Sequence, residues 1–189
     1  MNREQILEKY GAGCLHMSCI YLPGGEEALR KIIQEVSPRY GVLEIGTYNG
    51  ISALILSEYF SKVFTVDTEY REIAQVLSND SKNILYNVAN SRESENDIVS
   101  AIQKENEINL AFIDGEHFNG ELAKDWEMVK DVPYILVHDY AKQFDEVYDF
   151  CNNQKDRLML VSGTFCLLGP PKKASKPAVK KSVRKRNKK

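Results

Sequence analysis

Residues 41–56 constrain the fold more than any other stretch. They read GVLEI, then a turn bounded by Gly46 and Gly50, then ISALIL at helical spacing. A short apolar strand, a tight glycine turn and a helix in immediate succession form the ligand-binding corner of an open α/β sheet. Glycine lets the backbone approach a ligand where a Cβ would block it. The turn is not a phosphate cradle. It lacks the G-x-G-x-x-G that receives a pyrophosphate and the G-x-x-x-x-G-K-S/T that receives a triphosphate. Glu44 stands just before the first glycine, where a carboxylate repels phosphate but attracts a cation or accepts from hydroxyls and amines. The corner therefore suits a nucleoside-like ligand without phosphates.

The flanking sequence extends this corner into a sheet. Apolar spacing predicts a helix over 2–10 and another opened by Glu26-Glu27, carrying Ala28, Leu29, Ile32, Ile33 and Val36 and ended by Ser37-Pro38. The helix after the glycine turn is expected over 51–60. KVFTVD at 62–67 is a β-branched strand ending in an acid, after which Thr68 is expected to cap a helix over 69–78. Residues 83–86 form a short third strand, and Ser94-x-x-Asp97 has capping-box spacing before Ile98, Val99 and Ile102. INLAFI at 108–113 is a nearly continuous apolar run, as for a central strand covered on both faces. A helix over 119–130, with Trp126 on its core side, leads to a strand over 132–137 that ends at His138-Asp139. After a helix over 142–152, two strands at 157–161 and 164–168 are joined by Ser162-Gly163, a hairpin signal. Five βα units and a closing hairpin predict a three-layer α/β sandwich, with a mostly parallel seven-stranded sheet and an antiparallel edge.

Length and charge set the domain plan. The 189 residues suffice for one domain, expected over 25–169, preceded by a substrate-side segment over 1–24. No apolar run reaches the roughly 18 residues a membrane span needs, and the charged N-terminus has no signal-like apolar stretch. Cys14, Cys19, Cys151 and Cys166 show no C-x-x-C spacing and are expected to be free thiols, so the chain reads as cytoplasmic. Cys14, His16 and Cys19 alone do not complete a zinc site. The net charge of −2 conceals an asymmetry: ten of the 25 Lys and Arg, and none of the 27 acids, lie in 171–189, leaving a body near −12. The tail over 170–189 has too little apolar surface to offset its ordering entropy and is expected to be disordered. It reads either as a solubilising tail or as an arm for nucleic acid or another polyanion.

Four of the five parallel strands place an acid at or beside the ligand-binding end: Glu44, Asp67, Asp114 and Asp139. Each alone could merely cap a helix; four at one edge form a site. Asp67 lies some twenty residues past the glycine turn, where a carboxylate bonds ribose hydroxyls. Thr47, Tyr48 and Asn49 lie inside the turn and are candidates for ligand contact.

With these motifs in order, the chain resembles class I S-adenosylmethionine-dependent methyltransferases, a Rossmann-like family. E-x-G-x-x-x-G at 44–50 matches the family's first motif, VFTVD at 63–67 its second, and the closing hairpin its seventh-strand feature. The resemblance covers about residues 25–169. It implies S-adenosylmethionine as cofactor, held by Glu44, Gly46, Thr47, Tyr48, Asn49, Gly50, Asp67 and Asp114, with Asn90 and Ser91 against the adenine. IDGEHFNGELAKDW followed by VHDY resembles the small O-methyltransferases of the macrocin and catechol type. For those positions the resemblance implies Asp114 and Asp139 around Mg²⁺ or another divalent metal, with His117 as base and His138 a second candidate. The His-Asp pair departs from the usual oxygen-rich pattern, because imidazole is a poor Mg²⁺ ligand. The expected acceptor is a hydroxyl on a small molecule or glycan. The rival readings are a binding module without turnover and a nucleic-acid methyltransferase that uses tail 171–189. No N/D-P-P-Y-like motif follows the fourth strand, which weighs against the last.

Overall fold

The computed structural model describes residues 3–11, 13, 19–20, 23–90 and 98–170. The elements in chain order are α1 (Arg3–Tyr10), α2 (Gly25–Gln34), β1 (Gly41–Ile45), α3 (Ile51–Ser57), β2 (Lys62–Asp67), α4 (Glu72–Asp80) and β3 (Ile84–Val88). They continue with α5 (Ile98–Glu105), β4 (Ile108–Ile113), α6 (Glu121–Val129), β5 (Tyr134–Val137), α7 (Asp145–Asn153), β6 (Leu158–Ser162) and β7 (Phe165–Leu168). One seven-stranded sheet has the order β3-β2-β1-β4-β5-β7-β6. The first five strands pair in parallel, and β7 runs antiparallel to both β5 and β6. This is the expected mostly parallel sheet with its closing hairpin.

Period-two alternation divides the core between two faces. Val42, Val63, Leu110, Phe112, Leu136, Phe165 and Leu167 face α2 and α3, whereas Leu43, Val66, Ala111, Ile113, Val137 and Cys166 face Val99, Trp126 and Val147 of α5, α6 and α7. Phe112 and Phe165, both fully buried, bring their rings to 6.1 Å across the first face. Ile6 of α1 and the pair Cys19–Ile20 join this first core, so the N-terminal segment shares the domain's interior. The buried Arg157 closes the other end. It donates to the carbonyls of Gly169 at 2.7 Å and Lys130 at 3.0 Å, and its guanidinium lies 5.1 Å from the Trp126 ring.

Several helices start later than local spacing predicts. Thr68 does not cap the helix after β2, which begins at Glu72 with Arg71 as its N-cap. The Asp67 carboxylate takes the Glu69 N–H at 3.0 Å, while Tyr86 Oη donates to the Glu69 carbonyl and accepts from the Arg71 N–H at 2.9 Å. These bonds keep 68–71 as a loop. The helix predicted from 119 begins at Glu121, because Asn119 (φ 59°) and Gly120 (φ 78°) are left-handed. The helix after β5 begins at Asp145, and α3 ends at Ser57. The Ser94–Asp97 capping box and the tail over 171–189 lie outside the described residues. No helix among the described residues is long and apolar enough to cross a membrane.

Candidate active site

Strand order reverses between β1 and β4, and ligands of open α/β sheets bind outside the strand ends at such a point. Two hydrogen bonds join the strand ends here: the Asp114 N–H donates to the Ile45 carbonyl at 2.8 Å and the Gly46 N–H to the Val66 carbonyl at 2.9 Å. A Cβ on Gly46, whose φ is 93°, would collide with the carbonyl of Asp114, so this approach requires glycine. Gly50 (φ 74°) opens α3 and packs on Ala74 of α4. Between the glycines, Tyr48 takes φ 45°, and its N–H donates to Asp67 Oδ2 at 2.7 Å. Asp67 therefore uses both oxygens to order the two loops beside the site. The Arg71 guanidinium lies 5.0 Å from the Tyr48 ring.

A cleft open to solvent occupies this corner, lined by Cys19, Gly46, Thr47, Tyr48, Asn49, Ile51, Ser52 and Asp114. It joins the glycine turn to the acid after β4, two features 64 residues apart by number, because β1 and β4 are neighbours. Cys19, Ile51 and Ser52 were not foreseen in the sequence. The Cys19 thiol is held well above its ordinary value by burial and by the Asp114 and Glu44 carboxylates. Asn90 follows β3, farther along the same sheet edge, and Ser91 lies outside the described residues.

Beneath the turn, Glu44 is fully buried. It pairs with Thr65 across the β1–β2 register, and Thr65 Oγ1 donates to Glu44 Oε2 at 2.5 Å. Thr65 Oγ1 in turn lies 2.5 Å from Thr47 Oγ1. Glu44 Oε1 has no hydrogen-bond partner among the described residues. Burial pushes the carboxyl up to about 8, against the Ser52 and Thr65 hydroxyls, while Asp114 and Asp67 add to the rise. One signal for this group was available in the sequence: Thr65 and Ser52 are polar residues inside otherwise apolar segments.

A second cluster joins the first through Asp114. His138 Nδ1 lies 2.7 Å from Asp114 Oδ1 and 3.2 Å from Asp139 Oδ1. Burial alone would lower His138, but Asp114, together with Asp139, outweighs it and holds the imidazole above its ordinary value. The Phe165 ring packs 5.0 Å from it. Asp139 adopts φ 59°, a strained backbone for a non-glycine residue at the end of a strand. His117 is buried nearby with neither ring nitrogen partnered among the described residues, and burial lowers it despite Asp114 and Asp139. Its neighbour Phe118 is 58% exposed.

Known structures share this architecture. The chain is similar to the MycE methyltransferase from the mycinamycin biosynthetic pathway, solved with Mg, SAH and mycinamycin VI, at 13% identity and a TM-score of 0.58. That match covers 94% of this chain and 66% of MycE. In another MycE crystal form the chain spans 52% of the MycE length. It is also similar to precorrin-6y C5,15-methyltransferase from Geobacter metallireducens GS-15, at 11% identity and a TM-score of 0.54, covering 76% of this chain and 88% of that one. An rRNA methylase from Streptococcus thermophilus matches at 14% identity and a TM-score of 0.52, covering 78% of this chain and 94% of that one. The fold is that of class I S-adenosylmethionine-dependent methyltransferases. No protein-family model and no curated protein matches the chain.

Within the methyltransferase fold, the cavity's chemistry fits S-adenosylmethionine. Its lining carries the Asp114 carboxylate, the Thr47 and Ser52 hydroxyls and an open backbone turn, with no Lys or Arg among the described residues. The metal expectation for Asp114 and Asp139 does not fit in the same way. Both carboxylates turn an oxygen onto one imidazole nitrogen, and among the described residues no group of three His, Cys, Asp or Glu side chains could hold an ion. Mg²⁺ demands near-octahedral oxygen donors at about 2.0–2.1 Å, and a nitrogen between two carboxylates is not that donor set.

Proposed function

We propose that this protein moves a methyl group from S-adenosylmethionine to a hydroxyl of a small molecule or glycan. The observation that carries the reading is the Asp114–His138–Asp139 cluster, which shares Asp114 with the cavity of the glycine turn. The bound sulfonium supplies an electrophilic methyl. The chain's own residues bind, orient and deprotonate. Gly46, Thr47, Tyr48, Asn49 and Gly50 receive the methionine end, Asp67 the ribose, and Asn90 and Ser91 the adenine, with Glu44 behind the turn. Most of the acceleration comes from bringing acceptor oxygen and methyl into line.

The role of base passes from His117 to His138. The carboxylates hold His138 Nδ1–H, which fixes the tautomer and leaves Nε2 as the proton acceptor. Removal of the acceptor's proton there is worth roughly 10²–10⁴ in rate. His117, kept neutral by burial and unpartnered at both nitrogens, orients the acceptor by hydrogen bonding. No step in this scheme needs a metal.

Calorimetry with S-adenosylmethionine, followed by turnover over a panel of hydroxyl acceptors, tests the reading. Micromolar binding and S-adenosylhomocysteine formation that collapses in His138→Ala are expected. Binding without product on any acceptor favours the non-catalytic module instead. The contact of tail 171–189 with a polyanion is a separate proposal, supported by its charge. Deleting the tail is expected to abolish salt-dependent RNA or DNA affinity, and unchanged affinity refutes it.

A further inference from the structure

We propose that ligand binding in the glycine-turn cavity is coupled to ionisation of Glu44 through the hydroxyl relay Thr65–Thr47, so that a cationic ligand group releases a proton as it binds. The proposal rests on the cofactor reading above. It makes Glu44 a positioning residue, since it acts through Thr47 and does not itself line the cavity.

The geometry gives the relay two states. Ionised Glu44 can only accept, so Thr65 donates to Oε2 and takes the Thr47 hydroxyl proton in turn. Thr47 then presents lone pairs to the cavity, which suits an ammonium or sulfonium. With a proton on Oε2, every bond in the relay can reverse. Thr47 then presents its O–H, which suits an anion. Among the described residues, this fully buried carboxyl has one oxygen unpartnered, and the side chains that favour its ionised form are the Thr65 and Ser52 hydroxyls. The charged groups among the described residues that raise it are Asp114 from the end of β4 and Asp67 from the end of β2, with the Cys19 thiol beside them, and none of these is a cation. Burial accordingly keeps the carboxyl neutral up to about pH 8 until a cationic ligand supplies the missing positive charge.

The test is titration calorimetry of the full chain with S-adenosylmethionine at pH 7, in buffers of different ionisation enthalpy. The apparent enthalpy is expected to vary linearly with buffer enthalpy, reporting net proton release. Affinity is expected to tighten as pH rises toward 8, by up to roughly tenfold per unit. Glu44→Gln is expected to remove the release and flatten the pH dependence. Thr65→Val, which keeps the carboxyl but cuts the relay, is expected to reduce the release and keeps the idea testable if the glutamine variant does not fold. Binding without proton release in the wild type overturns this proposal alone. Release that persists in Glu44→Gln comes from another group, on the protein or on the ligand's own α-ammonium, and also overturns it. An absence of binding at every pH overturns the proposal and the cofactor reading together.

Discussion

Replacing Glu44 with glutamine should stabilise the ligand-free protein, and by an amount that grows with pH. Glu44 is fully buried, and burial pushes its carboxyl from 4.5 up to about 8. Between those values the folded chain holds a proton that the unfolded chain has lost. A group raised in this way contributes stability that is fully present below about pH 4.5 and is lost as pH rises through about 8. Each unit of pH in that window costs about 1.4 kcal/mol, so the loss reaches about 3 kcal/mol by pH 7. That is a large part of the roughly 5–15 kcal/mol that holds a typical domain together. Glutamine keeps the shape and cannot ionise. Urea unfolding of both proteins, without ligand, at half-unit steps from pH 5 to 9 measures the difference. The stability gap should widen steadily to about pH 8 and then level off. Two parallel curves would refute the reasoning, because any effect of the amide on packing alone is independent of pH.

Gly46→Ala places a Cβ on the Asp114 carbonyl at a left-handed φ, and should cost about 2–4 kcal/mol in urea unfolding. Gly50→Ala, whose nearest neighbour is the Ala74 Cα at 3.2 Å, should cost less; the reverse order would contradict the strand-end contact. Phe165→Ala removes a fully buried ring from against Phe112 and should cost about 3–5 kcal/mol in the same assay. His138→Ala should lower turnover by roughly 10²–10⁴ while leaving S-adenosylmethionine affinity nearly unchanged. Because the carboxylates raise His138, the wild-type rate should climb with pH through a midpoint above 6.5, and Asp114→Asn should move that midpoint down. Turnover should survive a strong chelator; loss that added Mg²⁺ restores would overturn the base assignment.

The corner at 41–56 was legible because each part of it is a local property. Apolar spacing identifies strand and helix, and glycines mark positions where a Cβ cannot fit. Helix starts were less legible. Thr68 looks like a cap, yet Asp67 and Tyr86, from two different strands, take the backbone groups that a cap would otherwise order. The choice between the two candidate bases was not legible for a related reason. His117 and His138 both follow strands and both sit beside acids in sequence, and spacing alone could not tell which imidazole the carboxylates hold.

By itself the sequence determined the order of elements, the phosphate-free character of the glycine turn and the presence of acids at four strand ends. Periodicity, turn chemistry and charge act over a few residues, and the chain carries them openly. Tertiary structure decided which of those acids work together. Pairing of β1 with β4 brings Asp114 to the turn, and pairing of β1 with β2 sets Thr65 beside Glu44. Two carboxylates converge on His138 Nδ1, and Cys19 closes the cavity from the N-terminal side. These contacts depend on register, burial and side-chain direction between segments distant along the chain, and those exist only once the sheet has formed.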